Sequence, residues 1–257
     1  MPDARSLFDL SGQTAIVTGG SRGLGAEIAE GLAEAGAAVF LVARRNEWLA
    51  PLAEQMKKRG FRCEGAICDV TQPDQVQQAL AEALRSFGQV DILVNNAGIT
   101  WGAPAEEMPL EKWRAVLEVN LTGTFLFSQS VGRHMIERGC GSIINVSSVS
   151  GLKGSTHTEG VAGYAASKAG VMGLTRELAA RWGRHGIRVN AIAPAFFPSR
   201  MTEKILAQVQ QQYEITVPLR RVGRSGEIKG AALFLASAAS SYITGQTIVV
   251  DGGATIV

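Results

Sequence analysis

The sequence predicts an α/β fold with one doubly wound parallel sheet of about seven strands flanked by helices. Seven short β-branched runs alternate along the 257 residues with longer segments of helical periodicity. The runs are almost continuously apolar, which is typical of parallel strands buried on both faces. Their predicted bounds are 14–19, 38–43, 63–70, 91–96, 142–148, 187–193 and 246–252.

The segments between these runs carry the signs of crossover helices. Thr71 stands before Pro73 and Asp74, where a helix is expected to begin, and apolar residues recur at helical spacing from Val76 to Phe87. Strand, helix and strand in this order build a parallel sheet with right-handed connections. No repeat, low-complexity tract or linker divides the chain, so we expect a single domain over residues 1–257.

The composition excludes several classes of function. The net charge is +2 without a basic stripe, so nucleic acid is not an expected partner. The longest apolar run, residues 231–239, is about half of the roughly 18 residues that a membrane helix needs, so we expect a soluble cytoplasmic protein with no membrane contact. The cysteines and histidines lack metal-site spacing, so no bound metal is expected: Cys63, Cys68, Cys140, His134, His157 and His185.

A glycine-rich turn follows the first predicted strand and opens the first helix. It reads VTGGSRGLG, with glycines at positions 19, 23 and 25. Such glycines permit a tight turn and close approach of the backbone to a pyrophosphate at the helix N-terminus. The spacing departs from the general dinucleotide motif G-x-G-x-x-G, but its place between strand and helix still predicts a Rossmann-type dinucleotide site.

The end of the second predicted strand indicates which dinucleotide binds. An acidic residue there would accept a hydrogen bond from the ribose 2′-hydroxyl of NAD, whereas this chain has Ala43 followed by Arg44. The Arg44 guanidinium can form charge-assisted contacts with a 2′-phosphate, and Arg22 in the glycine turn could flank the same phosphate. We therefore predict NADP(H) as cofactor in preference to NAD(H).

Four ordered motifs together resemble the short-chain dehydrogenase/reductase family over almost the whole chain. They are the glycine turn, NNAG at 95–98, NVSS at 145–148 and the pair Tyr164-x-x-x-Lys168. The resemblance implies an active site of Asn120, Ser148, Tyr164 and Lys168. It also implies a cofactor site made of residues Gly19, Ser21, Arg22, Gly23, Leu24, Gly25, Arg44, Asp69, Val70, Asn96, Ala97, Gly98, Tyr164, Lys168, Pro194 and Ser199.

Elementary physics is consistent with these implied roles. Residues four apart share a helix face, so Lys168 is expected beside the Tyr164 phenol. Lowering a phenol pKa from about 10 to about 7 requires about 4 kcal/mol. A cation at roughly 5 Å with an effective dielectric of about 20 supplies about 3 kcal/mol. We therefore expect Tyr164 to be the general acid or base and Lys168 to lower its pKa.

The remaining implied roles concern the carbonyl oxygen and the proton path. Ser148 would stabilise the developing charge on the substrate oxygen, with Ser147 and Ser150 as competitors for that role. Strand alternation places the two neighbouring serines on opposite faces, and the family pattern selects Ser148. Asn120 would hold a water that connects Lys168 with solvent.

The chain departs from the family pattern in two places. After the sixth strand, Ala195 replaces the usual Gly, which raises the question of a positive φ there, and Ser199 replaces the usual Thr that bonds the nicotinamide carboxamide. The gap between Ser148 and Tyr164 is about three residues longer than is common, because of an insert within residues 151–163. We expect the insert to change substrate access and leave the chemistry unchanged.

The substrate pocket is expected between residues 98–108, the insert and a lid segment, residues 195–219, that contains short helices. Two substrate classes stay open, because the sequence is similar to both gluconate 5-dehydrogenases and 3-oxoacyl carrier-protein reductases of the family. Lys153 or Arg200 could bind the carboxylate of a sugar acid, whereas aromatic residues of the lid could contact an acyl chain. The other candidate wall residues are Trp101, His157, Glu159, Phe196, Phe197 and Met201.

Two further hypotheses come from other classes of protein. A noncatalytic NADP-sensing protein would have lost part of the reactive set, and a structural subunit would bind no nucleotide. The resemblance also implies a homotetramer, formed through helices at roughly 111–137 and 164–183 and through the last strand. Apolar residues on these helices suit either that interface or the core of the monomer: Phe125, Phe127, Val171 and Leu174.

Overall fold

The computed structural model describes residues 3–154, 160–199, 202–203 and 205–257. Within these ranges the seven predicted strands form one parallel sheet in the order β3-β2-β1-β4-β5-β6-β7, which confirms the predicted fold class. The strands are β1 (Thr14–Thr18), β2 (Ala38–Ala43), β3 (Cys63–Ile67), β4 (Ile92–Asn95), β5 (Gly141–Val146), β6 (Ile187–Pro194) and β7 (Thr247–Val250).

The strand order reverses at β1, which pairs with β2 on one side and with β4 on the other. In open parallel sheets a crevice forms beyond the carboxyl ends of the strands at such a reversal, and ligands bind there. Thr18 and Asn95 end these two neighbouring strands. Their ends therefore mark where the cofactor is expected.

Helices cover both faces of the sheet. Neighbouring residues of β1 enter different cores, because Val17 packs with α1, α2 and α8, whereas Ile16 packs with α3, α5 and α6. This double burial explains why the strands lack polar alternation. The helices are α1 (Gly23–Glu34), α2 (Asn46–Lys58), α3 (Pro73–Phe87), α4 (Leu110–Leu117), α5 (Gly123–Arg138), α6 (Ala162–Trp182), α7 (Leu206–Thr216) and α8 (Glu227–Ala236).

The helix expected at roughly 111–137 is divided in the structure. A π-helical turn, Glu118–Thr122, separates α4 from α5. One extra residue per turn rotates the side chains that follow, and such turns are frequent at functional sites. Asn120 lies in the middle of this turn and is fully buried.

The structure also assigns the four apolar residues that sequence left between core and interface. Phe127 and Val171 are buried in the monomer, and Leu174 packs against the same core from a half-buried position. Phe125 is exposed. Of these four residues, Phe125 alone offers a large apolar surface to a partner.

Two further observations concern the described part of the chain as a whole. No helix in it is long and apolar enough to cross a membrane. No group of three His, Cys, Asp or Glu side chains in the same part of the chain is arranged to hold a metal ion.

A partly buried arginine on β6 ties the sheet to the end of α8. Arg188 donates to the carbonyls of Leu235 at 2.9 Å and Ala236 at 3.3 Å and to the Ser240 hydroxyl at 2.6 Å. The last carbonyls of a helix lack partners within the helix, and Arg188 supplies them with a charged donor in addition to the Ser142 and Ser240 hydroxyls at Leu235.

Arg188→Met should therefore lower the free energy of unfolding by about 2–4 kcal/mol, because it leaves these carbonyls without a charged donor. Arg184→Met is the matched control, since Arg184 is exposed and contacts the neighbouring His185. Urea unfolding at one protein concentration measures both values. Equal stabilities of the two variants would contradict the assignment.

Candidate functional site

The glycine turn after β1 is closed by contacts that leave no room for side chains. Gly19 has φ +62°, and a Cβ on Gly25 would lie 2.3 Å from Asn96 Nδ2 and 2.4 Å from the Gly19 carbonyl oxygen. Asn96 Nδ2 donates to the carbonyls of Thr18 at 3.0 Å and Gly19 at 3.1 Å. The predicted cofactor residues at 19, 25 and 96 are thus in one compact unit.

The end of β1 also holds the NNAG segment. Thr18 Oγ1 accepts hydrogen bonds from the backbone N–H groups of Asn96 at 3.0 Å and Ala97 at 3.1 Å. Further along, a Cβ on Gly98 would lie 3.3 Å from Asn120 Oδ1 and 3.6 Å from Lys168 Nζ. The absence of a side chain at Gly98 therefore leaves a space bordered by both functional groups.

At the adenosine end of the expected site, the structure places two arginines near one rim. The Arg22 guanidinium lies over the Trp48 ring, 5.3 Å from its centroid, and Trp48 is in the first turn of α2. Arg44 is exposed immediately before that helix, and Arg45 forms an ion pair with Glu47 at 3.4 Å. Trp48 was not predicted from the sequence, because a contact between the glycine turn and α2 has no spacing signal.

The other predicted cofactor residues lie along the same crevice. Asp69 Oδ1 accepts hydrogen bonds from the backbone N–H of Thr71 at 3.0 Å and from the Thr71 hydroxyl at 2.9 Å. The strand β3 ends at Ile67, before its predicted limit. Val70 is buried. Ser21 and Leu24 are half-buried in the glycine turn and the start of α1.

The segment after β6 reaches back to the glycine turn. Pro194 is buried, and a Cβ on Gly23 would lie 3.6 Å from Ser199 Cβ. The Ser199 and Thr202 hydroxyls are 3.0 Å apart, and Thr202 Oγ1 donates to the Phe197 carbonyl at 2.6 Å. Sequence reasoning missed Thr202, although a second hydroxyl three residues after Ser199 was a usable signal.

Ser148 and Tyr164 meet at the carboxyl end of β5. A hydrogen bond from Ser148 to the Tyr164 phenol joins them, and Ser148 Oγ accepts from the Ser150 backbone N–H at 3.2 Å. Ser147 faces the other way and donates to the Lys168 backbone carbonyl at 2.7 Å. The two serines thus face opposite ways, as strand alternation predicts, and Ser148, the one that the family pattern selects, is next to the phenol.

Lys168 is almost fully buried one helical turn after Tyr164. Its Nζ donates to the Val146 carbonyl at 2.7 Å and lies 5.6 Å from the centroid of the Tyr164 ring. Burial lowers the Lys168 pKa from 10.5 to about 8. The ammonium is therefore near the phenol but is held by a backbone oxygen of β5.

The pKa of Tyr164 differs from the sequence-based expectation. Burial raises it above its ordinary value of 10, and the hydrogen bond from Ser148 offsets only part of that effect. In the protein chain by itself, the pKa of Tyr164 therefore shifts in the direction opposite to the expected one. The simple Coulomb estimate omitted the loss of hydration, which acts on both the phenolate and the ammonium.

Asn120 is a fixed part of the framework around this pair. Its Oδ1 accepts from the Ile99 N–H at 2.8 Å, and its Nδ2 donates to the Ile99 carbonyl at 3.0 Å and to Ser167 Oγ at 2.9 Å. Both amide protons are thus used within the protein, and Oδ1 keeps one lone pair toward Gly98. Ser167 was not singled out in the sequence, although it directly precedes Lys168.

Several predicted pocket residues have other roles in the structure. Lys153 Nζ donates to the Ala254 carbonyl, so it is not simply directed at a substrate carboxylate. Phe197 is buried in the core beside Gly223. Phe196 packs edge-on against Tyr213 with centroids 5.8 Å apart, and the exposed Trp101 ring has Lys112 Nζ 4.4 Å above its centroid.

The structure shows the backbone conformation of Ala195, which replaces the glycine usual in the family. Ala195 has a negative φ, because Arg220 is the one non-glycine residue with a positive φ among the described residues. Four candidate wall residues, His157, Glu159, Arg200 and Met201, lie outside the described residues. Part of the insert and of the lid segment is therefore not placed.

The lowered pKa of Lys168 predicts a pH-dependent stability. Between pH 8 and 10.5 the unfolded chain binds more protons at Lys168 than the folded chain does. The free energy of unfolding of the wild type relative to Lys168→Met should therefore rise across this range, by at most about 3 kcal/mol. Urea unfolding of both proteins at several pH values measures it, and a pH-independent difference would contradict the burial of the ammonium.

The chain is similar to known proteins over almost its whole length. A family model described as enoyl-(acyl carrier protein) reductase matches residues 19–255. The chain is 41% identical to gluconate 5-dehydrogenase of Gluconobacter oxydans over 97% of both chains. It is 39% identical to a 3-oxoacyl-[acyl-carrier-protein] reductase of Aquifex aeolicus, over 95% of this chain and 98% of the relative.

A solved structure is similar over nearly the full length. The gluconate 5-dehydrogenase of Burkholderia cenocepacia, solved in complex with NADP and tartrate, superposes with a TM-score of 0.94 at 41% identity. The match covers 99% of this chain and 100% of the other. From the shared fold, the matched family model and these identities, the chain belongs to the short-chain dehydrogenase/reductase family, a family of oxidoreductases.

Proposed function

We propose that the protein interconverts a secondary alcohol and a ketone by hydride transfer with NADP(H), on a sugar acid of the gluconate type. The observation that carries this proposal is the meeting of Ser148, Tyr164 and Lys168 at the carboxyl edge of the sheet. Gly98 borders both Asn120 Oδ1 and Lys168 Nζ, and it belongs to the NNAG segment whose Asn96 closes the glycine turn.

The glycine turn fits a dinucleotide pyrophosphate. Its backbone is bare because side chains at Gly19 and Gly25 would collide with the NNAG segment and with the turn itself. Helix α1 begins at Gly23, so its free N–H groups and the positive end of its dipole face the same crevice. The proposed contacts extend from this turn to Asp69 and Val70 at the adenine and to Pro194 and Ser199 at the nicotinamide.

A nicotinamide dinucleotide held by these residues would supply the hydride for reduction or accept it in oxidation. Tyr164 protonates the carbonyl oxygen during reduction and accepts the hydroxyl proton during oxidation. Ser148 turns its hydroxyl from the phenol toward the same oxygen and stabilises its negative charge. Because burial raises the Tyr164 pKa, the phenol is protonated at neutral pH, the form that reduction requires.

Lys168 and Asn120 would form the path by which the Tyr164 proton exchanges with solvent. The Lys168 ammonium holds positive charge near the phenol and could contact the hydroxyls of the nicotinamide ribose. The space beside Gly98 is within contact distance of both Lys168 Nζ and the remaining lone pair of Asn120 Oδ1. A water or a ribose hydroxyl there would bridge the two groups and lead the proton toward solvent.

The preference for NADP(H) rests on the arginine rim. Arg44 is exposed at the end of β2, where Ala43 offers no acceptor to a 2′-hydroxyl. The contact with Trp48 holds Arg22 near the start of the helix that follows Arg44. Two guanidinium groups on one rim favour a 2′-phosphate, and the NADP complex of the related Burkholderia enzyme supports this choice.

A 3-oxoacyl thioester is the second candidate substrate, since a 3-oxoacyl carrier-protein reductase is almost as similar to this chain as the gluconate enzyme. A noncatalytic NADP sensor is less well supported, because its reactive groups would have no reason to be brought together.

We further propose that residues 1–257 form one domain with residues 195–219 as its lid. We also propose that the protein is a cytoplasmic homotetramer and has no nucleic-acid partner.

Tyr164→Phe should lower turnover by about 10²–10⁴-fold, because it removes the proton donor while keeping the ring. Tyr242→Phe is the matched control, since Tyr242 is fully exposed. Turnover is followed by NADPH absorbance with gluconate plus NADP⁺ and, separately, with acetoacetyl thioesters plus NADPH. The substrate with the higher kcat/KM decides between the two classes, and a Tyr164→Phe enzyme with full activity would exclude the mechanism.

Arg44→Ala should weaken NADP⁺ binding about 10- to 100-fold and leave NAD⁺ binding unchanged, because hydrogen bonds to charged groups contribute about 1.5–3 kcal/mol. The control is Arg45→Ala, whose guanidinium is paired with Glu47. Calorimetric titration of the wild type and both variants with NADP⁺ and NAD⁺ gives four ratios of dissociation constants, variant to wild type. Equal losses for NADP⁺ and NAD⁺ would refute a 2′-phosphate contact.

A further inference from the structure

The last residues of the chain form a turn fixed by its own carboxylate. The C-terminal turn, residues 251–255, follows β7, and Asp251 accepts from the backbone N–H groups of Gly253 at 2.8 Å and Thr255 at 2.7 Å. The Thr255 hydroxyl donates to the same carboxylate at 2.7 Å. Three bonds to one side chain give this turn a defined shape next to the end of β6.

The C-terminal turn packs against the end of the lid segment. The Gly252 carbonyl accepts from the Leu219 N–H at 3.1 Å, and Gly253 has φ +93° with its α-carbon so close to Pro218 that a Cβ would lie 2.7 Å from the ring. The Ala254 methyl is buried in a small core with three residues of the lid segment: Val209, Tyr213 and Val217. The turn therefore holds both α7 and the end of the lid.

The same turn is bonded to the loop that carries Ser148. This Ser148 loop, residues 148–154, is a tight turn in which the Gly151 N–H donates to the Ser148 carbonyl at 3.0 Å and the Lys153 N–H donates to the Val149 carbonyl at 3.1 Å. Lys153 Nζ then donates to the carbonyl of Ala254. Ala254 thus contacts the lid through its side chain and the Ser148 loop through its backbone.

The order of the strands explains what this bond connects. β5 leads to the Ser148 loop, β6 to the lid segment and β7 to the C-terminal turn, and the three strands are neighbours in the sheet. The hydrogen bond from Lys153 to Ala254 therefore connects the segment after β5 with the segment after β7, across the start of the lid segment after β6. The Ser148 loop and the lid segment both contact Ala254, so a substrate between them would lie between two segments held by the same residue.

Electrostatics around the turn are consistent with this arrangement. Although burial raises the pKa of the Asp251 carboxyl, hydrogen bonds from Thr255 and Gly253 and the nearby Lys153 ammonium hold it below its ordinary value. Burial and the Asp251 carboxylate raise the pKa of the Tyr213 phenol in α7. Asp251 is therefore close to both Lys153 and the lid helix.

We propose that Lys153 is a positioning residue that ties the Ser148 loop to the lid through Ala254 and so sets the shape of the alcohol or ketone pocket. The inference rests on the proposed function, since it assigns the pocket walls of that reaction. The contact of Lys153 with Ala254 involves none of the residues proposed to hold the cofactor. Of those residues, Pro194 directly precedes the lid segment and Ser199 lies within it, and both precede α7, the helix that the C-terminal turn holds. Substrate affinity should therefore depend on Lys153, and cofactor affinity should not.

The test compares Lys153→Met, which removes the donors, with Lys153→Arg, which keeps the charge and can donate to the same carbonyl. Lys58→Met is the matched control, because Lys58 is exposed and lies 3.9 Å from Glu54 in α2. For each protein, steady-state kinetics give KM and kcat for the better substrate, and titration gives the NADP⁺ dissociation constant. Hydrogen exchange is followed in peptides covering residues 149–154 and 206–217.

The expected result is a KM at least fivefold higher in Lys153→Met, an unchanged NADP⁺ dissociation constant and recovery in Lys153→Arg. Exchange in residues 206–217 should become faster in Lys153→Met but not in Lys58→Met. An unchanged KM, or an equal loss of substrate and NADP⁺ affinity together with a lower Tm, would overturn the proposal.

The exchange data separate this proposal from the proposed function. If the wild type turned over none of the substrates tested, the proposed function would fail, and exchange in the lid helix would decide on the Lys153 tie. Faster exchange in Lys153→Met would then support the tie between loop and lid. Unchanged exchange would refute it.

Discussion

All seven strands run in the same direction, and the position of every proposed functional group depends on this constraint. Parallel strands need crossover helices on both faces, so their carboxyl ends open on a single edge. Thr18, Ser148 and Pro194 reach that edge from three different strands. The groups at this edge thus come from segments that lie far apart along the chain.

Burial and charge oppose each other at the centre of this edge. Lys168 brings an ammonium close to the Tyr164 ring, yet the same burial that places it there lowers its own pKa and raises that of the phenol. The Val146 carbonyl and the Ser148 hydroxyl offset part of the lost hydration. A buried pair of this kind is responsive to an added charge, because the low local dielectric strengthens every new interaction. A positively charged oxidised nicotinamide beside it would therefore have a larger effect than in water.

The walls of the site are held by contacts between loops. Asn96 closes the glycine turn, Asn120 fixes the backbone after NNAG, and Ala254 joins the Ser148 loop to the lid segment. In each case one polar group satisfies backbone atoms of another loop, which keeps loops ordered without extending the sheet. The loops at this edge of the sheet are thus joined to one another by hydrogen bonds.

The sequence by itself determined the strands and the glycine turn, because each has a local signal: apolar runs and glycine spacing. The four-residue interval also placed Lys168 one helical turn after Tyr164. Strand alternation placed Ser147 and Ser148 on opposite faces, and the family pattern was needed to choose Ser148. Only the tertiary structure decided the contacts between distant segments. The contact of Arg22 with Trp48, the burial of Phe197 and the bond from Lys153 to Ala254 join residues whose separation along the chain carries no periodicity. The direction of the Tyr164 pKa shift was decided there as well, since hydration depends on everything packed around a group and not on its nearest charge.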